Sequence, residues 1–236
     1  MSFPFSAAIF DMDGTLLDTL DDLADATNAT LSAYGFPVRT REEVRLFVGN
    51  GVEKLMERAL PGGHTAVAHL PDGSSADFDA MLSDFKRRYA ACCRSRTRPY
   101  PGIPALLADL RRAGIPVAVV SNKFDAAVRS LSDAYFGNLI GVAVGERDGV
   151  RKKPAPDTVF EALRLLGVSA GGSPSPVYIG DSDVDIATAA AAGLPCISVT
   201  WGFRSRAFLA EHGASRFAAS ANELKAMLLG TAQNRP

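Results

Sequence analysis

The chain has 236 residues, of which 47% are hydrophobic and 22% charged, and its formal net charge is -1. That length suits one large α/β domain or a core domain with a smaller insertion, and the composition excludes wholesale disorder. A nearly neutral balance supplies no positive field for nucleic acid or an anionic membrane, so neither is expected as a partner.

Three cysteines, with Cys92 and Cys93 adjacent, make no disulfide framework, and the three histidines, His64, His69 and His212, show no regular ligand spacing. The opening run Met1-Ser2-Phe3-Pro4-Phe5 has no basic stretch, and the apolar segment after it meets Asp11 too early for a signal peptide or a membrane span. A cytoplasmic location is therefore expected.

From Ala7 to Phe10 a short apolar run stops at acidic residues and Gly14, as a buried parallel strand does where it emerges at a sheet edge. The next stretch, Thr19 to Arg98, reads as consecutive helices without a convincing strand. Thr40-Arg41-Glu42-Glu43 is a capping box, Val52 to Leu60 and Phe78 to Cys92 have helical apolar spacing, and Pro61 to Ala76, rich in Gly, Pro and Ser, reads as a loop. The arginines Arg87, Arg88, Arg94, Arg96 and Arg98 read as a solvated helix end.

Beyond that stretch the strand grammar returns at Val117 to Val120, Ile140 to Val144, Val177 to Ile179 and Cys196 to Val199. Helices are predicted between and around these runs at Ile103 to Ala113, Asp125 to Ala134, Asp157 to Leu166 and Val184 to Ala192. Pro156 suits a first helical position, and Gly114, Gly167 and Gly193 fall where helices should stop. Alternating strands and helices predict a Rossmann-like parallel sheet with helices on both faces, and the helical stretch predicts an inserted cap. The expected domains are a core of residues 1–18 and 99–236 and a cap of residues 19–98; Thr231 to Pro236 reads as a fraying end.

Asp11 and Asp13 leave the first strand two residues apart, so two carboxylates start on one side of the sheet edge. Such a pair repels itself unless one acid is protonated or a cation neutralises it, and hard oxygen ligands suit Mg²⁺. Asp-x-Asp-Gly is also explicable as a solvated turn. Against that, Gly180-Asp181-Ser182-Asp183-Val184-Asp185 closes another predicted strand at the same edge, where open parallel sheets gather their ligands. Ser121 and Asn122 offer hydroxyl and amide donors to phosphate oxygens after a third strand, and Lys153 offers a compact positive charge before Pro154-Ala155-Pro156.

In order, Asp11-Met12-Asp13-Gly14-Thr15-Leu16-Leu17-Asp18, Ser121, Lys153-Pro154 and Gly180-Asp181-Ser182 resemble the four motifs of the haloacid dehalogenase superfamily, over nearly the whole chain. The resemblance implies that Asp11 is the nucleophile and that Asp13 protonates the leaving group and then activates water. It also implies Mg²⁺ held by the Asp11 carboxylate, the Asp13 backbone carbonyl and Asp181, with Ser121 and Lys153 on the phosphoryl oxygens. Asp185 is read as orienting Lys153 or a metal-bound water, and Asp183 as capping the next helix.

The acid at Asp13 accompanies phosphoryl chemistry rather than dehalogenation in that superfamily. Within it, Val48-Gly49-Asn50-Gly51-Val52-Glu53-Lys54-Leu55-Met56 is similar to the cap segment of the bacterial phosphoglycolate phosphatases, as are Tyr100-Pro101-Gly102-Ile103, Ser121-Asn122-Lys123 and Thr200-Trp201-Gly202-Phe203-Arg204. The expected activity is hydrolysis of 2-phosphoglycolate or another small phosphorylated metabolite through an aspartyl-phosphate, by a monomer or homodimer. Arg45, Asn50, Lys54 and Arg204 are candidates for substrate selectivity. Alternatives are a phosphomutase, a pyrophosphatase and a non-catalytic phosphate-binding protein.

Overall fold

The computed structural model describes residues 4–230. The chain forms two compact units, one holding the chain up to Leu17 and from Pro99 onward, the other Asp18–Arg98. The fraying expected of Thr231 to Pro236 lies outside the described residues.

Strand β1 (Ala8–Phe10) opens the first unit, and two-residue strands β2 (Leu17–Asp18) and β5 (Arg98–Pro99) mark the places where the chain passes between units. The second unit contains α1 (Leu20–Ala33), α2 (Arg41–Phe47), α3 (Val52–Ala59), the short strands β3 (Ala68–His69) and β4 (Ser75–Ala76), and α4 (Phe78–Cys92). The first unit resumes with α5 (Ile103–Arg112), β6 (Val117–Phe124), α6 (Asp125–Phe136) and β7 (Val142–Glu146). It continues through α7 (Asp157–Leu166), β8 (Val177–Gly180), α8 (Asp183–Ala192), β9 (Cys196–Val199), α9 (Arg206–Glu211), β10 (Phe217–Ala218) and α10 (Ala221–Leu229).

Six strands form one sheet in the order β10-β9-β8-β1-β6-β7, with parallel pairing throughout. β1 is central: Ala8 stands opposite Val117 of β6 on one side and Val177 of β8 on the other. The strand order therefore reverses direction at β1, and the carboxyl ends of β1, β6 and β8 surround the switch point where such sheets bind ligands. All three residues of β1 are fully buried, as expected of a strand covered on both faces. One face packs Ile9, Ala118, Val120, Val144 and Tyr178 against Val159, Ala162 and Leu163 of α7 and Ala189 and Ala192 of α8.

Several elements differ from the sequence reading. β6 does not stop at Val120 but runs to Phe124, with a register shift against β7 between those two residues. Ser121, Asn122 and Lys123 thus stay extended and buried while leaving the regular ladder, so their polar groups need other partners. β7 starts at Val142 because a 3-10 turn, Gly137–Leu139, precedes it. β10, a sixth strand, adds only two residues beside β9, too few to show a period.

The helical unit is built as a chain of neighbours, α1 against α2 and α4, and α3 against α2 and α4. Thr40 opens α2 with the expected capping box: its hydroxyl accepts from the Glu43 N–H at 3.2 Å and its own N–H donates to Glu43 at 2.7 Å. The stretch read as a plain loop, Pro61 to Ala76, contains the antiparallel pair β3 and β4. Asp22, buried on α1, accepts from the N–H groups of Arg96 and Thr97, each at 2.9 Å, and from the Thr97 hydroxyl at 2.8 Å. The arginine cluster is largely engaged by this unit's own carboxylates, Arg87 and Arg88 with Asp84 and Arg96 with Asp25. Among the described residues no helix is long and apolar enough to cross a membrane.

Candidate active site

The turn after β1 brings Asp11 and Asp13 to the sheet edge. Leu16 and Leu17 return to the Met12 carbonyl at 3.0 Å each, and Gly14 supplies the φ of 83° that this tight return requires. A Cβ on Gly14 would lie 2.3 Å from Asp181 Oδ2, and one on Gly202 would lie 2.4 Å from the same oxygen. The Asp181 carboxylate therefore fits only because glycine stands at both places. Its Oδ1 accepts from the Thr15 hydroxyl at 3.2 Å and its Oδ2 from the Phe203 N–H at 2.6 Å. Trp201 Nε1 donates to the Thr15 carbonyl at 3.1 Å, which ties the segment after β9 to the same turn.

Lys153, beyond β7, reaches the cluster with its ammonium buried. Nζ stands 2.8 Å from Asp185 Oδ1 and 2.9 Å from Asp11 Oδ1. The Asp185 contact is a hydrogen bond; the Asp11 contact is an ion pair without hydrogen-bond alignment, and among the described residues Asp11 Oδ1 has no aligned donor. The Lys153 ammonium is the charge that meets this buried oxygen.

Asp185 is fully engaged. Oδ1 accepts from Lys153 and Tyr178, and Oδ2 accepts from the Asp181 and Ser182 N–H groups and the Ser182 hydroxyl. Ser182, rather than the expected Asp183, caps α8, because its hydroxyl closes a reciprocal box with Asp185.

Burial, with the nearby charge of Asp185, lifts Asp11 from 3.8 to about 7 against the pull of Lys153. Burial, then Asp185 and Asp11, push Asp181 well above the carboxylate range. Burial also disfavours the Lys153 ammonium, but Asp11 and Asp185 outweigh it and hold the group charged. Asp11, Asp181 and Asp185 present oxygens within 4.8 Å of one another. Since the Asp185 oxygens are already occupied, Asp11 and Asp181 are the pair with capacity for a cation. Buried carboxylates whose pKa values are raised by burial and by one another's charge fit a hard divalent ion such as Mg²⁺.

The end of β6 holds two contacts that the sequence did not show. Asn122, expected as a phosphate donor, bonds both the N–H and the carbonyl of Lys153 with its amide, at 2.8 and 3.0 Å, and so positions that backbone. Lys123 was read only as part of a resemblance, yet its buried ammonium meets Asp13 Oδ2 at 3.0 Å. A lysine embedded in the buried run of β6 was the available signal: such a group is rarely buried without a charged partner. Ser121 is buried beside them, its Oγ accepting from the Lys123 N–H at 3.4 Å.

Three selectivity candidates lie in the helical unit with partners there. Arg45 pairs with Glu42 at 2.5 Å, Lys54 with Glu57 at 2.5 Å, and Asn50 accepts from Arg58 at 2.9 Å. Arg204 follows β9, its guanidinium 5.8 Å from the centre of the Phe208 ring, and its charge opposes the rise of the Asp181 pKa.

The haloacid dehalogenase-like hydrolase family matches residues 8–199, from β1 through β9. The chain belongs to this family. Among its relatives, a phosphoglycolate phosphatase of Cupriavidus necator is 35% identical over 229 residues, covering 97% of this chain and 95% of its own. One from Mesorhizobium japonicum is 34% identical over 199 residues, 84% of each chain. A Lactobacillus delbrueckii protein, crystallised as a candidate phosphoglycolate phosphatase, superposes with a TM-score of 0.86 at 38% identity, over 96% of this chain and 99% of that one. The haloacid dehalogenase-like fold thus spans both units, and the chain is a hydrolase of the phosphatase branch.

Proposed function

We propose that this hydrolase is a Mg²⁺-dependent phosphomonoesterase acting on 2-phosphoglycolate, with Asp11 as nucleophile. The observation that carries the reading is Asp11 Oδ1: buried, without an aligned donor, beside the Lys153 ammonium and within reach of Asp181. A carboxylate so placed has a cation to share and an oxygen to offer phosphorus.

In this reading Lys153 and Ser121 bind the phosphoryl oxygens, and Asn122 holds the Lys153 backbone in register. Mg²⁺, held by Asp11, Asp181 and the Asp13 carbonyl, would neutralise phosphoryl charge and orient the group. An Asp11 oxygen attacks phosphorus while the ester P–O bond breaks. The bonding pair leaves on the glycolate oxygen, which takes a proton from Asp13. Water then gives a proton to Asp13 and attacks the aspartyl-phosphate, returning Asp11 and inorganic phosphate.

The choice of 2-phosphoglycolate is supported by the phosphoglycolate phosphatases of Cupriavidus and Mesorhizobium, similar over most of their length. We assign the helical unit the part of a cap that selects substrate, and the enzyme to the cytoplasm. The test is phosphate release, with Mg²⁺, from 2-phosphoglycolate, glucose 1-phosphate and pyrophosphate. Preference for the first is expected by at least about tenfold in kcat/KM, a difference of about 1.4 kcal/mol. Isomerisation of glucose 1-phosphate, or preference for pyrophosphate, would overturn it.

A further inference from the structure

Tyr178 lies in the middle of β8, where the strand reads as a plain apolar run, and it is fully buried. A phenol in the centre of a sheet needs partners for its hydroxyl. Here it has three polar neighbours: Lys153 Nζ at 3.1 Å, Asp185 Oδ1 at 3.2 Å and the Val120 carbonyl at 3.4 Å. The reaction proposed above uses none of the phenol's chemistry.

The hydrogen count on Lys153 gives the phenol a task. An ammonium has three N–H groups and rotates freely about its last bond unless partners stop it. One N–H goes to Asp185 and one to the Tyr178 oxygen, which leaves one. Because Nζ also stands 2.9 Å from Asp11 Oδ1, the remaining N–H belongs to the side on which the nucleophile lies. The phenol proton has its own acceptor in Asp185 or Val120, and burial with the surrounding carboxylates keeps it in place.

We infer that Tyr178 is a positioning residue for Lys153: accepting one N–H of the ammonium, it fixes the rotor so that the last N–H faces the phosphoryl group attacked by Asp11. Without the phenol the rotor rests on Asp185 and on Asp11 Oδ1, the nucleophile itself, whose hold on it changes as the phosphoryl group is transferred. The Val120 carbonyl, immediately before Ser121, anchors the phenol to the strand end that carries the other phosphoryl-binding side chain. The inference rests on the proposed role of Lys153.

The experiment is a double-mutant cycle with Tyr178→Phe and Lys153→Met, read as kcat/KM for 2-phosphoglycolate and as inhibition by inorganic phosphate in the presence of Mg²⁺. Tyr178→Phe alone should lower both by about tenfold, a typical effect of one buried hydrogen bond to a charged group. In the Lys153→Met background it should change neither beyond about twofold, because the group it positions is gone. Equal factors in both backgrounds, or full activity of the single variant, would overturn the inference. Near-normal activity of Lys153→Met would instead remove the proposed role of Lys153, so the two failures are distinguishable. If the Phe variant does not fold, 3-fluorotyrosine at position 178 replaces it. Its fluorine resonance should shift on adding inorganic phosphate with Mg²⁺, and no shift, or the same shift with Lys153→Met, would contradict the coupling.

Discussion

Asn122 holds the backbone of Lys153 from both sides, its Nδ2 donating to the carbonyl at 3.0 Å and its Oδ1 accepting from the N–H at 2.8 Å. Both groups are buried, so these are the bonds that set where the lysine begins its reach toward Asp11. Replacing Asn122 with Ala leaves a buried N–H and C=O unmet, at about 1–3 kcal/mol each. We expect Asn122→Ala to melt several degrees lower and to lose about tenfold or more in kcat/KM, measured on protein shown to be folded by circular dichroism. Unchanged kinetics would mean that Lys153 is placed by its side-chain contacts alone.

Gly202 tests the fit of Asp181 without the positive φ that Gly14 carries. A Cβ there would stand 2.4 Å from Asp181 Oδ2 and 2.4 Å from the Gly14 carbonyl oxygen, inside any permitted contact. Gly202→Ala should displace the carboxylate and weaken Mg²⁺ binding by at least about tenfold, about 1.4 kcal/mol, in isothermal titration calorimetry. Wild-type affinity would detach Asp181 from the metal.

Asp11 also makes a stability prediction. Its pKa is raised from 3.8 to about 7 by burial and the charge of Asp185, so the folded protein holds this proton more tightly than the unfolded chain. The stabilising contribution of the protonated form is complete below pH 4 and is lost as pH rises through about 7. In chelator, wild-type protein should therefore lose stability relative to Asp11→Asn between those pH values, because the amide does not ionise. Parallel melting profiles for the two proteins would contradict this.

Removal of the metal should abolish turnover. Activity on 2-phosphoglycolate is expected to vanish in excess chelator and to return on addition of Mg²⁺, followed by phosphate release. Undiminished turnover in chelator would take the cation out of the reaction.

The sheet and its acidic corner were legible because their signals are local. Asp11 ends an apolar run three residues before Gly14, and Asp181 follows Gly180 at the end of another, punctuation of the kind that marks strand ends. Lys123 was not legible as a site residue, because Ser-Asn-Lys after Val120 has the composition of a loop. The distant Asp13 supplies the charge that a buried, extended lysine needs there. Tyr178 was hidden in the opposite way: the ring fits an apolar strand, and its hydroxyl acquires partners from Lys153 and Asp185, 25 and 7 residues away. Asn122 shows the same limit, since an amide suited to phosphate is equally suited to a backbone 31 residues further on. Residue type conveyed the available chemistry; the partner depended on tertiary contact.

The claim that Asp11 carries the phosphoryl group is tested most directly by trapping it. Enzyme turning over 2-phosphoglycolate with Mg²⁺ is quenched in acid, digested with pepsin and analysed by mass spectrometry for the peptide that contains Asp11. A phosphoryl group on Asp11 that is absent without substrate is the expected result. Turnover with the phosphoryl group found on another residue would contradict it.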